Sequence, residues 1–143
     1  MSADLLELSE RIWTGAVEGG GHQWFGHFGE VANPASDTCF VAAFSNVNAI
    51  ATDDGLVVVD TSSPLNTAHA HDALARWDPR PAHTVVFTHG HIDHVFGVER
   101  YEAAARDAGA PAVRVVAHEG VPARFDRYIA TAENCRIGAG ERG

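Results

Sequence analysis

"VVFTHGHIDHVFG", from Val85 to Gly97, decides how the rest of the chain is read. His89, His91, Asp93 and His94 fall within six consecutive positions. A β-branched run precedes them, and Val95, Phe96 and Gly97 restart a hydrophobic pattern. In an extended chain, residues two apart point to the same side, so His89 and His91 share a face. Asp93 and His94 follow as the chain turns. Clustered imidazoles repel one another when protonated, whereas neutral imidazole and carboxylate are natural ligands of a divalent cation. With nine histidines in 143 residues, chance would supply this spacing only about 0.002 times per chain, so the pattern is read as a metal motif. The bland alternative is a helix-capping Asp93 among surface histidines.

Working outward, "HTVVFT" (83–88) reads as a buried strand and "VFGVERYEAAARDAG" (95–109) as a helix stopped by Gly109. The motif therefore joins a strand's carboxyl end to a helix, where α/β folds collect their ligands. "LVVVD" (56–60) is a near-continuous apolar strand, expected to be buried on both faces. "TCFVAAF" (38–44) and "NVNAIAT" (46–52) read as two more strands, with a tight turn at Asp53, Asp54 and Gly55. "TSSPLNTAHAHDALARW" (61–77) predicts a helix capped by Ser63, with Pro64 in its first turn. "AVRVVAH" (112–118) predicts a strand and "VPARFDRYIATA" (121–132) a helix. "ADLLELSERIW" (3–13) has Leu5, Leu8 and Ile12 at helical spacing, although Ile12 and Trp13 would equally start a strand. Residues 15–37 are Gly-rich and read as a long loop. Strands alternating with helices define an α/β layer.

Composition narrows the function classes. The chain is 45% hydrophobic, enough for one core, and its net charge is −9, with 19 acids against 10 bases. Broad nucleic-acid binding needs the opposite balance, so no nucleic-acid partner is expected. Cys39 and Cys135 form no CxxC, so neither a disulfide framework nor a thiolate zinc site is expected. The acidic N-terminus does not read as a secretory signal and no run reaches the length of a membrane span, which gives a cytoplasmic expectation.

With "SNVNAI", the DDG turn, "VVVDTSSP" and "THGHIDHVFG" in place, the chain resembles the metallo-β-lactamase superfamily from about Ile12 to Ala132, and most of all its alkyl sulfatase-type branch. The resemblance implies an αββα sandwich with two metal ions, usually zinc, at its edge. It implies that His89 and His91 bind one metal, and Asp93 and His94 the other. Asp60 matches an Asp that braces the metal loop rather than binding metal; its bland alternative is a helix cap. The implied chemistry is hydrolysis of an ester-type small molecule by water activated between paired cations, with Asp93 orienting that water. A sulfate ester of a long alkyl chain is the branch's substrate; a thioester or lactone is the alternative.

Other residues carry weaker expectations. Asn46 and Asn48 are expected near the site or in strand-end structural roles. Trp24, Phe25 and Phe28 would meet an alkyl chain or, the favoured reading, pin a loop to the core. His22 and His27 are expected in solvent, His69 and His71 on a helix surface, and His83 in a structural role. His118 and Glu119 end a strand on the motif's side, with a metal-binding role the minority reading.

The chain departs from the family pattern after Ala132, where "ENCRIGAGERG" loses both periodicity and likeness. The expected organisation is the N-terminal half of a metallo-β-lactamase-like domain over residues 1–132 and an irregular tail over 133–143, from a truncated or frame-shifted coding sequence. The downstream ligands of the family have no match, so an enzyme competes with a non-catalytic remnant that binds metal weakly. Half of a two-layer sandwich is also expected to expose apolar strand faces and to self-associate through them.

Overall fold

The structure, a computed structural model, describes residues 5–17 and 26–140, with side chains described only as far as residue 132. Trp24, Phe25 and His22 therefore lie outside the described residues, as does the Cys135 side chain. A helix, α1 (Leu5–Trp13), precedes an antiparallel run of β1 (Val31–Ala32), β2 (Thr38–Val41), β3 (Val47–Thr52) and β4 (Gly55–Val59). Then come α2 (Thr67–Trp77), β5 (Ala82–Val86), the single turn α3 (Ile92–Val95), α4 (Val98–Asp107), β6 (Arg114–Val116) and α5 (Val121–Gly140). The six strands form one sheet in sequence order, with β4, β5 and β6 parallel. This is an α/β layer of the kind the resemblance implies, with one sheet among the described residues where the αββα sandwich has two.

The turn between β3 and β4 is the one expected. Gly55 has φ +122° and lies against the Pro81 carbonyl, so a side chain there would be both strained and crowded. Two expectations shift. Helix α2 starts at Thr67 with Asn66 at its cap, three residues later than a Ser63 cap would place it. The amides of Asn66 and Thr67 donate to the Ser63 carbonyl, because the preceding residues are spent on a left-handed loop in which Asp60 and Ser62 have φ 59° and 62°. At the other end, helical backbone continues past Ala132 to Gly140, over most of the segment expected to be irregular.

Strand alternation sorts the sheet into two faces. Cys39, Val41, Val47, Ala49, Val58 and Val85 point to one side and are buried with Ala70, Ala73 and Leu74 of α2, Val95 of α3 and Tyr101 of α4. The buried Cys39 thiol is pushed up to about 11, so it remains a packed, uncharged side chain. Phe40, Ile50, Val57, Val59 and Val86 point the other way. Register places Phe40 opposite Asn48, Asn48 opposite Val59, and Val59 opposite Val86. Among the described residues, only the α1 end of this second face is packed into a small cluster, of Leu5, Ala32, Ala42 and Phe40. Ile50 is 41% exposed and Val57 and Val59 are half-buried. The expectation that "LVVVD" is buried on both faces therefore fails: helices cover one side of β4, and no second sheet covers the other among the described residues. No helix among them is long and apolar enough to cross a membrane.

His71 of α2 meets Tyr101 of α4 edge-on, with ring centroids 5.1 Å apart. It is half-buried rather than on the surface as expected. Burial lowers its pKa, against an opposing pull from Asp72 and with a smaller contribution from Arg100. A folded-state pKa below the unfolded value of about 6.5 gives stability that is present above that value and lost as pH falls below it. The midpoint of urea unfolding should therefore drop between pH 7.5 and 5.5, and His71→Phe, which keeps a ring against Tyr101, should flatten that drop. The open face has its own signature: the folded chain should bind a hydrophobic dye, and Ile50→Lys should reduce that binding without loss of the cooperative transition.

Candidate metal centre

The end of β5 and the turn α3 carry the motif, and the end of β4 lies beside it. Strand β5 ends at Val86 and carries the chain through Thr88 to His89; His91 stands at the N-terminal boundary of α3, and Asp93 and His94 lie within that turn. Strand β4 runs parallel beside β5 and is followed by Asp60, whose amide donates to the Val86 carbonyl at 2.9 Å. Asp60 is buried, and its carboxylate accepts three hydrogen bonds. Oδ1 takes the Thr88 amide at 2.8 Å, and Oδ2 takes the Thr88 hydroxyl at 2.7 Å and His94 Nδ1 at 2.8 Å. It does not cap α2, which excludes the bland alternative for this residue.

These bonds assign the histidine protons. A carboxylate only accepts, so Nδ1 of His94 carries the proton and, in the neutral ring, Nε2 presents a lone pair. The Thr88 hydroxyl spends its proton on Asp60, so its oxygen accepts from His89 Nδ1 at 2.9 Å. His89 then also presents Nε2 unprotonated. One buried carboxylate thus orients two imidazoles, His94 directly and His89 through Thr88.

The donor atoms fall into two pairs. His89 Nε2 and His91 Nδ1 are 2.9 Å apart, close to the ~3.3 Å between two nitrogens on one tetrahedral zinc. Asp93 Oδ2 and His94 Nε2 are 3.5 Å apart. The donor types and the spacing within each pair suit a divalent cation such as zinc. Yet no three His, Cys, Asp or Glu side chains converge on one point among the described residues. The rings of His89 and His94 are 4.1 Å apart, so the two pairs adjoin.

Ser45 was not singled out from the sequence, although it opens the "SNVNAI" stretch. It is 4% exposed, and its hydroxyl lies 2.7 Å from His94 Nε2 and 3.3 Å from Asp93 Oδ2, with one proton to donate to either acceptor. Thr61 was missed as well: its amide and hydroxyl both donate to the His94 carbonyl, at 2.7 and 2.9 Å, and its oxygen accepts from the Gly97 amide at 3.0 Å. Gly97 is packed so closely there that a methyl group would overlap the Thr61 carbonyl and the Thr67 side chain. Small hydroxyl residues leave no periodic trace, so only the run of Thr61, Ser62 and Ser63 after Asp60 hinted at them.

The remaining expectations are placed as follows. Asn46 accepts from the Ala43 amide in the turn before β3, a structural role, and Asn48 is exposed. His27 pairs with Glu30 at 3.1 Å, and His83 bonds Thr52 and Thr84. His69, Phe28 and Glu119 are exposed. His118, exposed on the β6–α5 connection, accepts the Gly120 amide on Nδ1 and borders the same groove as His89 and His91.

Residues 41–131 match the family model of the metallo-beta-lactamase superfamily, and the chain belongs to that superfamily. A solved double mutant of the sec-alkyl sulfatase PisA1 is 29% identical, with a TM-score of 0.51 over 64% of this chain and 15% of its own. A motif mutant of a metallo-beta-lactamase from Cronobacter sakazakii (Enterobacter sakazakii) is 17% identical, with a TM-score of 0.55 over 68% of this chain and 38% of its own, a likeness of fold alone. The chain thus spans less than half the length of either relative. No curated protein matches it.

Asp60 holds the site's protons as well as its backbone. Asp60→Ala leaves the Thr88 amide and His94 Nδ1 unpartnered, and should cost about 2–4 kcal/mol in chemical denaturation. Nitrogen-15 spectra of the imidazoles should show His94 changing from a single Nδ1–H tautomer to a mixture.

Proposed function

We propose that the chain carries the metal-binding motif of a hydrolase that cleaves a small-molecule ester. The single observation behind this reading is the pairing of donors: His89 with His91, and Asp93 with His94, each pair at a separation one cation spans. Divalent cations held there, zinc foremost, would supply Lewis-acid activation of water and of the scissile group. The chain's own residues fix the ligands. Asp60 and Thr88 present Nε2 of His94 and His89, and the Ser45 hydroxyl lies against the second pair. Asp93 is the candidate to orient the attacking water. The likeness to a sec-alkyl sulfatase favours a sulfuric ester over the thioester and lactone alternatives.

A second reading has its own observation. A catalytic zinc normally takes three protein ligands plus water, and no three converge among the described residues. On this ground the isolated chain is a weak metal binder without turnover, and hydrolysis needs a ligand from additional polypeptide. Positioning supplies much of a hydrolase's rate, and two ligands leave a cation free to shift.

Titration of the purified chain with zinc or cobalt should show binding that dialysis against chelator reverses, and His89→Ala or His91→Ala should abolish it. Alkyl sulfate hydrolysis by the isolated chain should be negligible. Metal retained through chelator, with His91-dependent turnover, would instead establish a complete active site; no binding at all would sink the metal reading.

A further inference from the structure

Among the described residues, the one formal charge on the wall beside His89 and His91 is positive, that of Arg124, in a chain that is strongly acidic overall. A shallow groove of about 420 Å³ is bordered by Thr88, His89, His91, His118, Val121 and Arg124, with the backbones of Gly90 and Gly120, and no carboxylate lines it. Glu119, adjacent to His118 in sequence, is not among its lining residues. In a chain of net charge −9, a groove free of acids at the motif is a local reversal of sign.

Arg124 is fixed there by packing. Gly90, between the first two motif histidines, lies so close that a Cβ would sit 3.3 Å from both Cβ and Cγ of Arg124 and 3.5 Å from Val121. The stem of Arg124 therefore runs along the motif backbone. Its Nε donates to Tyr128 Oη at 3.3 Å, and its guanidinium lies 5.4 Å from the Tyr128 ring centre. Phe96, immediately after the motif turn, packs against Phe125 and Tyr128, which docks this part of α5 on the motif segment. Arg124 forms no ion pair among the described residues, so its terminal nitrogens keep their donors. His118 adds another. Its Nδ1 accepts from the Gly120 amide, so the neutral ring carries its proton on Nε2.

We propose that Arg124, supported by His118, binds the anionic oxygens of the substrate and positions it beside the motif. This rests on reading the motif as that of a hydrolase, and it narrows the substrate to an oxyanion-bearing ester. A planar guanidinium offers two parallel donors to such a group, and a groove without carboxylates does not repel it. Sulfate monoesters and carboxylates share this chemistry.

The test uses the full chain with chelator present, at constant ionic strength and at a pH above the ordinary imidazole range. Methyl sulfate and acetate are titrated separately, followed by NMR shifts of the Arg124 Nε–H and the His118 ring. A saturable shift with either anion is expected, and the one that saturates names the group. Arg124→Gln should weaken binding at least tenfold, while Arg124→Lys, which keeps the charge and loses the fork, should retain part of it. Circular dichroism checks that both variants fold. Saturation by neither anion, or unchanged binding in Arg124→Gln, overturns the proposal. Because no metal is present, failure here is separate from failure of metal binding, which His91→Ala reads.

Discussion

A single buried carboxylate organises the site. Asp60 follows β4 in a left-handed conformation that residues other than glycine adopt at a cost, yet aspartate is among those that tolerate it best. The cost is offset because the same turn brings the carboxylate to the Thr88 amide, the Thr88 hydroxyl and His94 together. Burial makes each bond matter more, since an unmet donor beside Asp60 has little water to fall back on. Asp60 therefore ties the ends of two parallel strands to the helical turn of the motif, and sets the protons of two histidines as it does so.

The fold exists around that tie. Parallel pairing of β4 and β5 places their carboxyl ends side by side, and α2 and α4 cover one face of the strands. Thr61 then clasps the His94 carbonyl and the Gly97 amide, which fixes where α3 ends and α4 begins. A larger residue at Gly97 would push this clasp apart. The core and the site are thus the same construction viewed from two ends: apolar residues below the strand ends, and hydroxyls and a carboxylate above them.

Much of this was legible in the sequence, for physical reasons. The β-branched runs, the Asp53–Gly55 turn and the helix stopped before Gly109 are local signals, and each produced an element, although α4 starts at Val98 rather than Val95. The motif was legible as a cluster because its four side chains fall within six positions, and the structure brings them together in two pairs. Asp60 was visible through family likeness rather than through any pattern of its own. Ser45, Thr61 and Thr88 were not, because a serine or threonine in a loop has no periodicity and its role depends on partners dozens of residues away. The start of α2 was misread because Ser63 is a good cap in general, while here its carbonyl closes the loop. "LVVVD" was misread because an apolar run reports what a strand could bury, and only tertiary structure decides whether both faces are covered.

The histidines around the motif also show how one residue type is given opposite tasks. His94 donates from Nδ1 to a carboxylate and so offers a lone pair outward from Nε2. His118 accepts a backbone amide on Nδ1 and so offers a proton outward from Nε2. Neither assignment requires a change of charge; each follows from what the inner nitrogen meets. The outward lone pair suits a cation and the outward N–H suits an anion; the ring of His94 adjoins that of His89, and His118 borders the groove that His89 and His91 line. An ester with a charged head needs both kinds of group at once, electrophilic help at the bond to be cleaved and donors for its negative oxygens. Residue type alone would have called both histidines candidate ligands. The partner on the inner nitrogen separates them, a buried carboxylate for His94 and a backbone amide for His118.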